Sequence, residues 1–446
     1  MADKLLVRAY NVEVGDCVYC RIPKARKVGG VIDDFHILVD CGTVGTTGNL
    51  GDAITNLKTL LPDAGGGRKR LDLLVITHEH KDHIHGFGVI TQAFQGLKIE
   101  SLWMNTAMDP DHPQAQQALR LHRLASNAMR NVARMNLALS PELQELAALY
   151  AADNDDAMKA LRETLPAASG IAPTYVHAGM TPADLGLPLD GATIRVLGPE
   201  RDIDHFYLGE DPDGTLHGVG GGSMFGTAPP LVRTAFPANI SLADFRLLQS
   251  RMLSSAFAFA ELSAKVTNNT SVVLLIEWKG KRLLFVGDAE WDSRFKAGKS
   301  NAAWNVMWHE RKASLDAGID FLKIGHHGSE NATPWNDLEN GEVTEPSTIL
   351  DAILPIPAGG AAPTAKAVVS TKRKNYETIP RSALLVELGK RIQNVRTYQT
   401  ALGAGASQLP KFSTFEKLWL DKPQPLRTDC ENALSGAAFV DVEIEA

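Results

Sequence analysis

Cysteine is scarce, four in 446 residues and widely scattered, which excludes a disulfide framework as the source of stability. No uninterrupted apolar run reaches the ~18 residues a membrane span needs, so no membrane partner is expected. The opening stretch MADKLLVRAYNVEVGD has no cationic lead followed by an apolar segment, and a cytoplasmic location is the expectation. Positive charge is not in excess either. The formal net charge is −7, whereas a protein that grips duplex nucleic acid carries a strong basic surplus. Basic residues cluster only locally, at Arg21 to Lys27, Arg68 to Arg70 and Lys372 to Lys374, and each cluster reads first as a solvated loop.

What is present is an ordinary globular composition, 44% hydrophobic and 22% charged, enough to bury a sizeable core. The length admits two or three domains, or one layered α/β domain with insertions. Cys17 and Cys20 have the spacing of half a zinc site, but no second pair accompanies them, and residues three apart on a strand face opposite sides. Cys17, Cys20 and Cys41 are therefore read as small buried residues.

The chemistry concentrates in Leu71 to Gly86, LDLLVITHEHKDHIHG. Leu73 to Ile76 read as a strand buried on both faces, and His78, His80, Asp82, His83 and His85 begin where that strand ends. In open α/β sheets the carboxyl-end rim is where ligand sites form. Imidazoles beside a carboxylate suit Zn²⁺, and less tightly Mn²⁺, as one or two ions. Chance clustering of surface histidines accounts poorly for H-x-H-x-D-H placed directly after a buried strand.

This stretch resembles the signature of metallo-β-lactamase fold hydrolases, and three further segments fall in the matching order. FVGDAE at Phe285 to Glu290 is similar to the strand-end aspartate that bridges two metals, which implies Asp288. LKIGHHGS at Leu322 to Ser329 is similar to the late histidine motif, which implies His326 or His327. The opening YNVEVGDC and LVDCG make the whole most similar to the hydrolase domain of competence protein ComEC and its stand-alone relatives. The resemblance implies an α/β four-layer αββα fold with helical insertions. It also implies metal ligands among His78, His80, Asp82, His83, Asp288, His326 and His327, with Asp82 and Asp288 catalytic. Where many relatives carry a further metal-binding histidine, Asn268 and Asn269 stand here. Asn269 is a weak neutral donor, so one metal is expected to be looser or completed by His177, His205 or His217. Asp40 and His85 are further accessory candidates, Asp40 as a support behind a ligand. The G-H-P of relatives is replaced by ETIP at Glu377 to Pro380.

Strands are expected at Leu5 to Val12, Cys17 to Ile22 and Phe35 to Val39, with RIPKARKVGGVIDD as a hairpin excursion. A helix follows at Gly51 to Leu61, and after the site a strand at Lys98 to Met104. The chain is read as one domain, 1–446, carrying a helical insertion at 108–170, with His112 and His122 as bystanders. A glycine-rich lid plus helical insertion is expected at 201–265, where Phe245, Phe257 and Phe259 suit either core or a docking or dimer face. TNNTSVVLLIEWKGKRLLFVGDAE reads as two strands joined by a Lys-Gly turn, and Ala438 to Ile444 as a final strand.

The expected activity is metal-dependent hydrolysis, led by a phosphodiesterase or nuclease acting on single-stranded nucleic acid. Hydrolysis of a small ester, lactone or phosphoester is the alternative. A third reading is an effector subunit controlled by a protein partner or by homo-oligomerisation through the helical insertions.

Overall fold

A two-residue turn joins the second and third strands. β1 (Lys4–Tyr10) leads into a hairpin of β2 (Val18–Val28) and β3 (Val31–Val39), in which Val28 pairs with Val31. The loop between them is Gly29 and Gly30, both at positive φ, which such a turn requires and a side chain resists. The computed structural model describes residues 3–134, 150, 154–208, 256–258, 260–298, 300–335, 343–371, 379, 384, 387–393 and 438–446.

Helix α1 (Gly48–Leu60) follows, then β4 (Asp63–Gly65), β5 (Arg68–Leu71), β6 (Leu73–Ile76) and α2 (Lys81–Val89). The single strand expected over Lys98 to Met104 is two. β7 (Leu97–Ile99) pairs with β5 in a small sheet, whereas β8 (Leu102–Asn105) pairs with β6. Glu100 N–H donates to the Leu71 carbonyl and the Ser101 carbonyl accepts from Leu74 N–H, so this dipeptide carries the chain between sheets. Its alternation reads the same in either sheet, which hid the break.

The remaining strands are β9 (Pro173–Val176), β10 (Ala192–Gly198), β11 (Val273–Trp278), β12 (Lys281–Phe285), β13 (Phe321–Lys323), β14 (Lys366–Val368) and β15 (Phe439–Glu445). Among the described residues one large sheet has the order β15-β1-β2-β3-β6-β8-β9 and the other β10-β11-β12-β13-β14. Neighbours from β3 to β9 run parallel, as do β12, β13 and β14. The final strand pairs along the whole of β1.

Period-two patterning sorts side chains into three cores. On β6, Leu73 and Val75 face the second sheet's Leu274, Ile276 and Phe285, whereas Leu74 and Ile76 face Leu50, Ile54, Ile84 and Phe87 of α1 and α2. On β11, Val273 and Leu275 turn to the outer helices α4 (Ala303–Leu315) and α5 (Glu345–Ile353). The layers are therefore helix, sheet, sheet, helix. Burial on both faces explains the unbroken apolar runs of β6 and β11.

Helix α3 (Ala115–Arg134) falls within residues 108–170, and its Ala125, Met129 and Val132 pack with Tyr150, Ala256 and Ala260. Phe257 packs on that cluster, within the chain. Phe245, Phe259, His217, the glycine-rich stretch 209–230, Lys372 to Lys374 and most of ETIP lie outside the described residues. Among the described residues no helix is long and apolar enough to cross a membrane. Cys17, Cys20 and Cys41 are free thiols with no exposed surface.

Candidate metal centre

The site forms at the carboxyl ends of parallel strands from both large sheets. After β6 the backbone stays extended through His80 (φ −72°, ψ 152°), which caps α2. Extended spacing puts His78 and His80 on one side, and the first helical turn brings Asp82 and His83 back to them. An acidic residue in that turn suits the positive end of the helix. The close seat of α2 depends on Gly42: a Cβ there would lie 2.4 Å from the Asp82 backbone. Asp288 follows β12, and His326 and His327 follow β13.

Behind the site Asp16, Asp40 and His83 form one close group of donor atoms, the two acids being engaged by Lys323 and Thr77. Two further sets line the site itself, each within 4.8 Å: Asp82, His83, Asp288 and His327 in one, and His78, His80 and Asp288 in the other. Asp288 belongs to both. Its Oδ2 lies 3.2 Å from His83 Nε2 and 3.7 Å from His78 Nε2. His327 Nε2 is 2.8 Å from Asp82 Oδ2, and His78 Nε2 is 3.1 Å from His80 Nδ1. All these side chains are buried.

Behind them stands a layer of hydrogen bonds. His83 Nδ1 donates to Asp40 Oδ2 at 2.7 Å, and Asp40 also accepts from Thr77 N and Oγ1. His327 Nδ1 donates to the Ser370 carbonyl at 2.7 Å, and His78 Nδ1 meets Ser271 Oγ at 3.2 Å. These bonds direct the opposite ring nitrogens of His78, His83 and His327 toward Asp288 and Asp82. Asp40, His326 and His327 hold positive φ (56°, 42° and 54°), a backbone strain that only a well-determined surrounding maintains.

Electrostatics make the cluster a cation trap. Burial disfavours charge on His83, yet Asp288, Asp82 and Asp40 outweigh it and raise its pKa well above the ordinary value. Burial likewise opposes charge on His327, but Asp82 and Asp288 raise its pKa. Asp82 and Asp288, though buried, are held below the usual carboxylate range by His83 and its neighbours. Burial presses His80 down to about 3, and burial with His83 depresses His78. His80 Nε2, Asp82 Oδ1, His83 Nε2 and Asp288 Oδ2 are buried with no hydrogen-bond partner. Buried polar atoms are rarely left so, and these carry the lone pairs a divalent ion takes up. The residues present fit such an ion.

The late motif is resolved by geometry, since His327 enters the cluster. His326 donates its backbone N–H to Asp288 Oδ1 and turns its ring toward Glu290. Asn269 differs from the expectation of a weak ligand. Its Oδ1 accepts from the N–H groups of Glu290 and Ala303 while its Nδ2 donates to Lys265 and Glu290, so its oxygen is already engaged. His85 is half-buried on α2 outside both donor sets, His177 bonds the Ala178 carbonyl, and His205 is exposed against Phe206. None of the three completes the smaller set.

Thr77, Ser271 and Ser370 went unread in the sequence, and so did a buried cation. Lys323, fully buried on β13, pairs with Asp16, and burial notwithstanding, Asp16, Asp288 and Asp40 raise its pKa. A lysine inside the apolar run FLKI was the available signal.

Residues 30–101 match the model of the Metallo-beta-lactamase superfamily. Two solved structures align over most of the chain. The metallo-beta-lactamase fold protein YhfI from Bacillus subtilis is 10% identical, with 72% of this chain and 71% of that chain covered and a TM-score of 0.27. Zn(2+)-bound PqqB from Methylobacterium extorquens is 11% identical, with 83% and 81% covered and a TM-score of 0.34. No curated protein matches the sequence.

Proposed function

We propose that this chain, which carries a metallo-β-lactamase superfamily domain of the metallo-β-lactamase fold, is a metal-dependent hydrolase cleaving phosphodiester bonds, with single-stranded nucleic acid as the leading substrate. The observation that carries the reading is the Asp288 carboxylate shared by two buried donor sets. His78, His80 and Asp288 would hold one ion, and Asp82, His83, Asp288 and His327 another. Zn²⁺ suits these donors best and Mn²⁺ next. Divalent ions there supply Lewis acidity toward a phosphoryl oxygen and a water pKa lowered toward neutrality.

The chain's own groups do the rest. Asp82 orients the attacking water through its carboxylate. Asp40 and the Ser370 carbonyl fix the rings of His83 and His327 so that no reorganisation accompanies charge build-up. Because Asn269 is engaged elsewhere, the three-donor set should load more weakly than the four-donor set. The ComEC-like order of motifs favours nucleic acid. The net charge of −7 favours the second reading, a small phosphoester or ester substrate. A cytoplasmic setting and a partner acting through the helical insertions complete the proposal.

The test is metal content of the purified protein paired with cleavage of labelled single-stranded DNA and of bis(p-nitrophenyl) phosphate, with Zn²⁺ or Mn²⁺. Polymer cleavage that falls with salt and drops at least ~10³-fold in Asp288→Asn is the expected result. Turnover of the small diester alone moves the assignment to a small phosphoester, and full activity in both Asp288→Asn and Asp82→Asn sinks the mechanism.

A further inference from the structure

A cavity of about 120 Å³ opens beside the metal centre, between α3 and the segment 154–162. Its wall is shared with the donor cluster. Glu79, which lines it, is the residue between His78 and His80, and its carbonyl accepts from Asn154 Nδ2 at 2.8 Å. The Tyr150 ring stands 6.4 Å from the His80 ring and 5.4 Å from the His122 ring. His122, expected to be a bystander, thus sits one aromatic ring away from a metal-site histidine.

The cavity sets three guanidinium groups against two carboxylates, Glu79 and Asp155, and several of its polar atoms lack hydrogen-bond partners; Arg130 is bonded to Asn127 and Arg162 to Tyr175, which leaves Arg123 as the most available cation. Arg123, Arg130 and Arg162 contribute guanidinium groups to it. Arg162 donates Nη2 to the Met108 carbonyl at 2.5 Å, but its buried Nε has no hydrogen-bond partner. The same holds for His122 Nδ1, whose nearest carboxylate oxygen, on Glu79, is 3.7 Å away, and for Asn154 Oδ1. Buried donors and acceptors left open in a polar cavity mark the place of a bound polar group. Guanidinium groups select planar or tetrahedral oxyanions, which they grip through paired N–H bonds.

We infer that this cavity is a second recognition site, which takes a terminal phosphate of the substrate whose neighbouring diester lies at the metal centre; this rests on the phosphodiesterase reading above. Asn154 Oδ1 and Glu79 then accept from hydroxyl groups next to that phosphate. The arrangement makes the enzyme selective for substrates with a phosphorylated end, because the phosphate and the scissile bond are held on opposite sides of one residue, Glu79.

The experiment is calorimetric titration of the zinc-loaded full chain with dithymidine joined by an uncleavable methylphosphonate, with and without a phosphate at its 5′ or 3′ end. One phosphorylated form should bind roughly tenfold or more tighter than the plain form, as good charge-assisted contacts give. Arg123 is exposed on α3, so Arg123→Gln leaves the core intact; it should collapse the difference, and Arg123→Lys should restore part of it. Equal affinity for all forms overturns the inference, as does a difference that persists in Arg123→Gln, since the phosphate is then bound by the metals. Cleavage assays fail separately: a phosphate-dependent difference without diester cleavage removes the phosphodiesterase reading and keeps the site, and cleavage without a difference removes the site alone.

Discussion

Asp40 illustrates what single residues contribute. It is fully buried, holds a left-handed backbone, and spends its carboxylate on His83 and Thr77 instead of on the donor cluster itself. Burial raises its pKa, and the bonds from His83 and Thr77 pull the other way. Asp40→Asn keeps the shape and removes the charge that fixes the His83 ring, so zinc affinity should fall roughly 10- to 100-fold with the fold retained. Competition against a chromophoric chelator measures this; unchanged affinity would mean that Asp40 is only a turn residue. The same residue was legible in LVDCG as a strand-end acid. Its partner was not, since 43 positions separate it from His83 and sequence carries no distance between them.

At the scale of an element, β3 shows how a strand carries function on one end and stability along its length. His36, 3% exposed, meets Tyr19 Oη at 2.8 Å through Nδ1, and its N–H donates to Asp72. Burial, then the neighbouring Arg70, lowers its pKa to about 4. Between the unfolded value near 6.5 and about 4, the unfolded chain binds the proton and the folded chain does not. Stability is therefore intact above that window and lost as pH falls through it, by roughly 3 kcal/mol at the acid end. Urea midpoints of the wild type and His36→Gln should converge as pH drops from 7 to 4, and parallel profiles would contradict the assignment. The apolar run of β6 and the hairpin at Gly29 and Gly30 were readable because a doubly buried strand and a two-residue turn each leave a local mark in the sequence. The Lys98 to Met104 stretch was not, because pairing partners, which local pattern does not contain, decided where it broke.

At the scale of the whole molecule, the donor sets draw on both sheets: His78 to His83 from the rim of one, Asp288 and His327 from the rim of the other. An ion held by these residues would fasten the two halves of the sandwich across the inter-sheet core. Free metal at about a thousand times its dissociation constant should add roughly 4 kcal/mol of stability. Chelation should thus lower the melting temperature by several degrees, and Asp288→Asn should melt at the same temperature with or without chelator. A chelator effect that survives in the variant would place the stabilising ion elsewhere.

The chain alone determined the strand-end positions of its chemistry: H-x-H-x-D-H after a doubly buried strand, a lone aspartate after β12 and paired histidines after β13. Local pattern suffices there, because an apolar run that stops must put the next polar residues at the sheet's rim. Only the tertiary structure decided that His327 and not His326 enters the cluster, that Asn269 is spent on backbone amides, and that His122 faces the metal turn across Tyr150. Those outcomes depend on left-handed backbone, on competing hydrogen-bond partners and on how α3 and Tyr150 pack against the metal turn, which are relations between segments and not properties of any one of them.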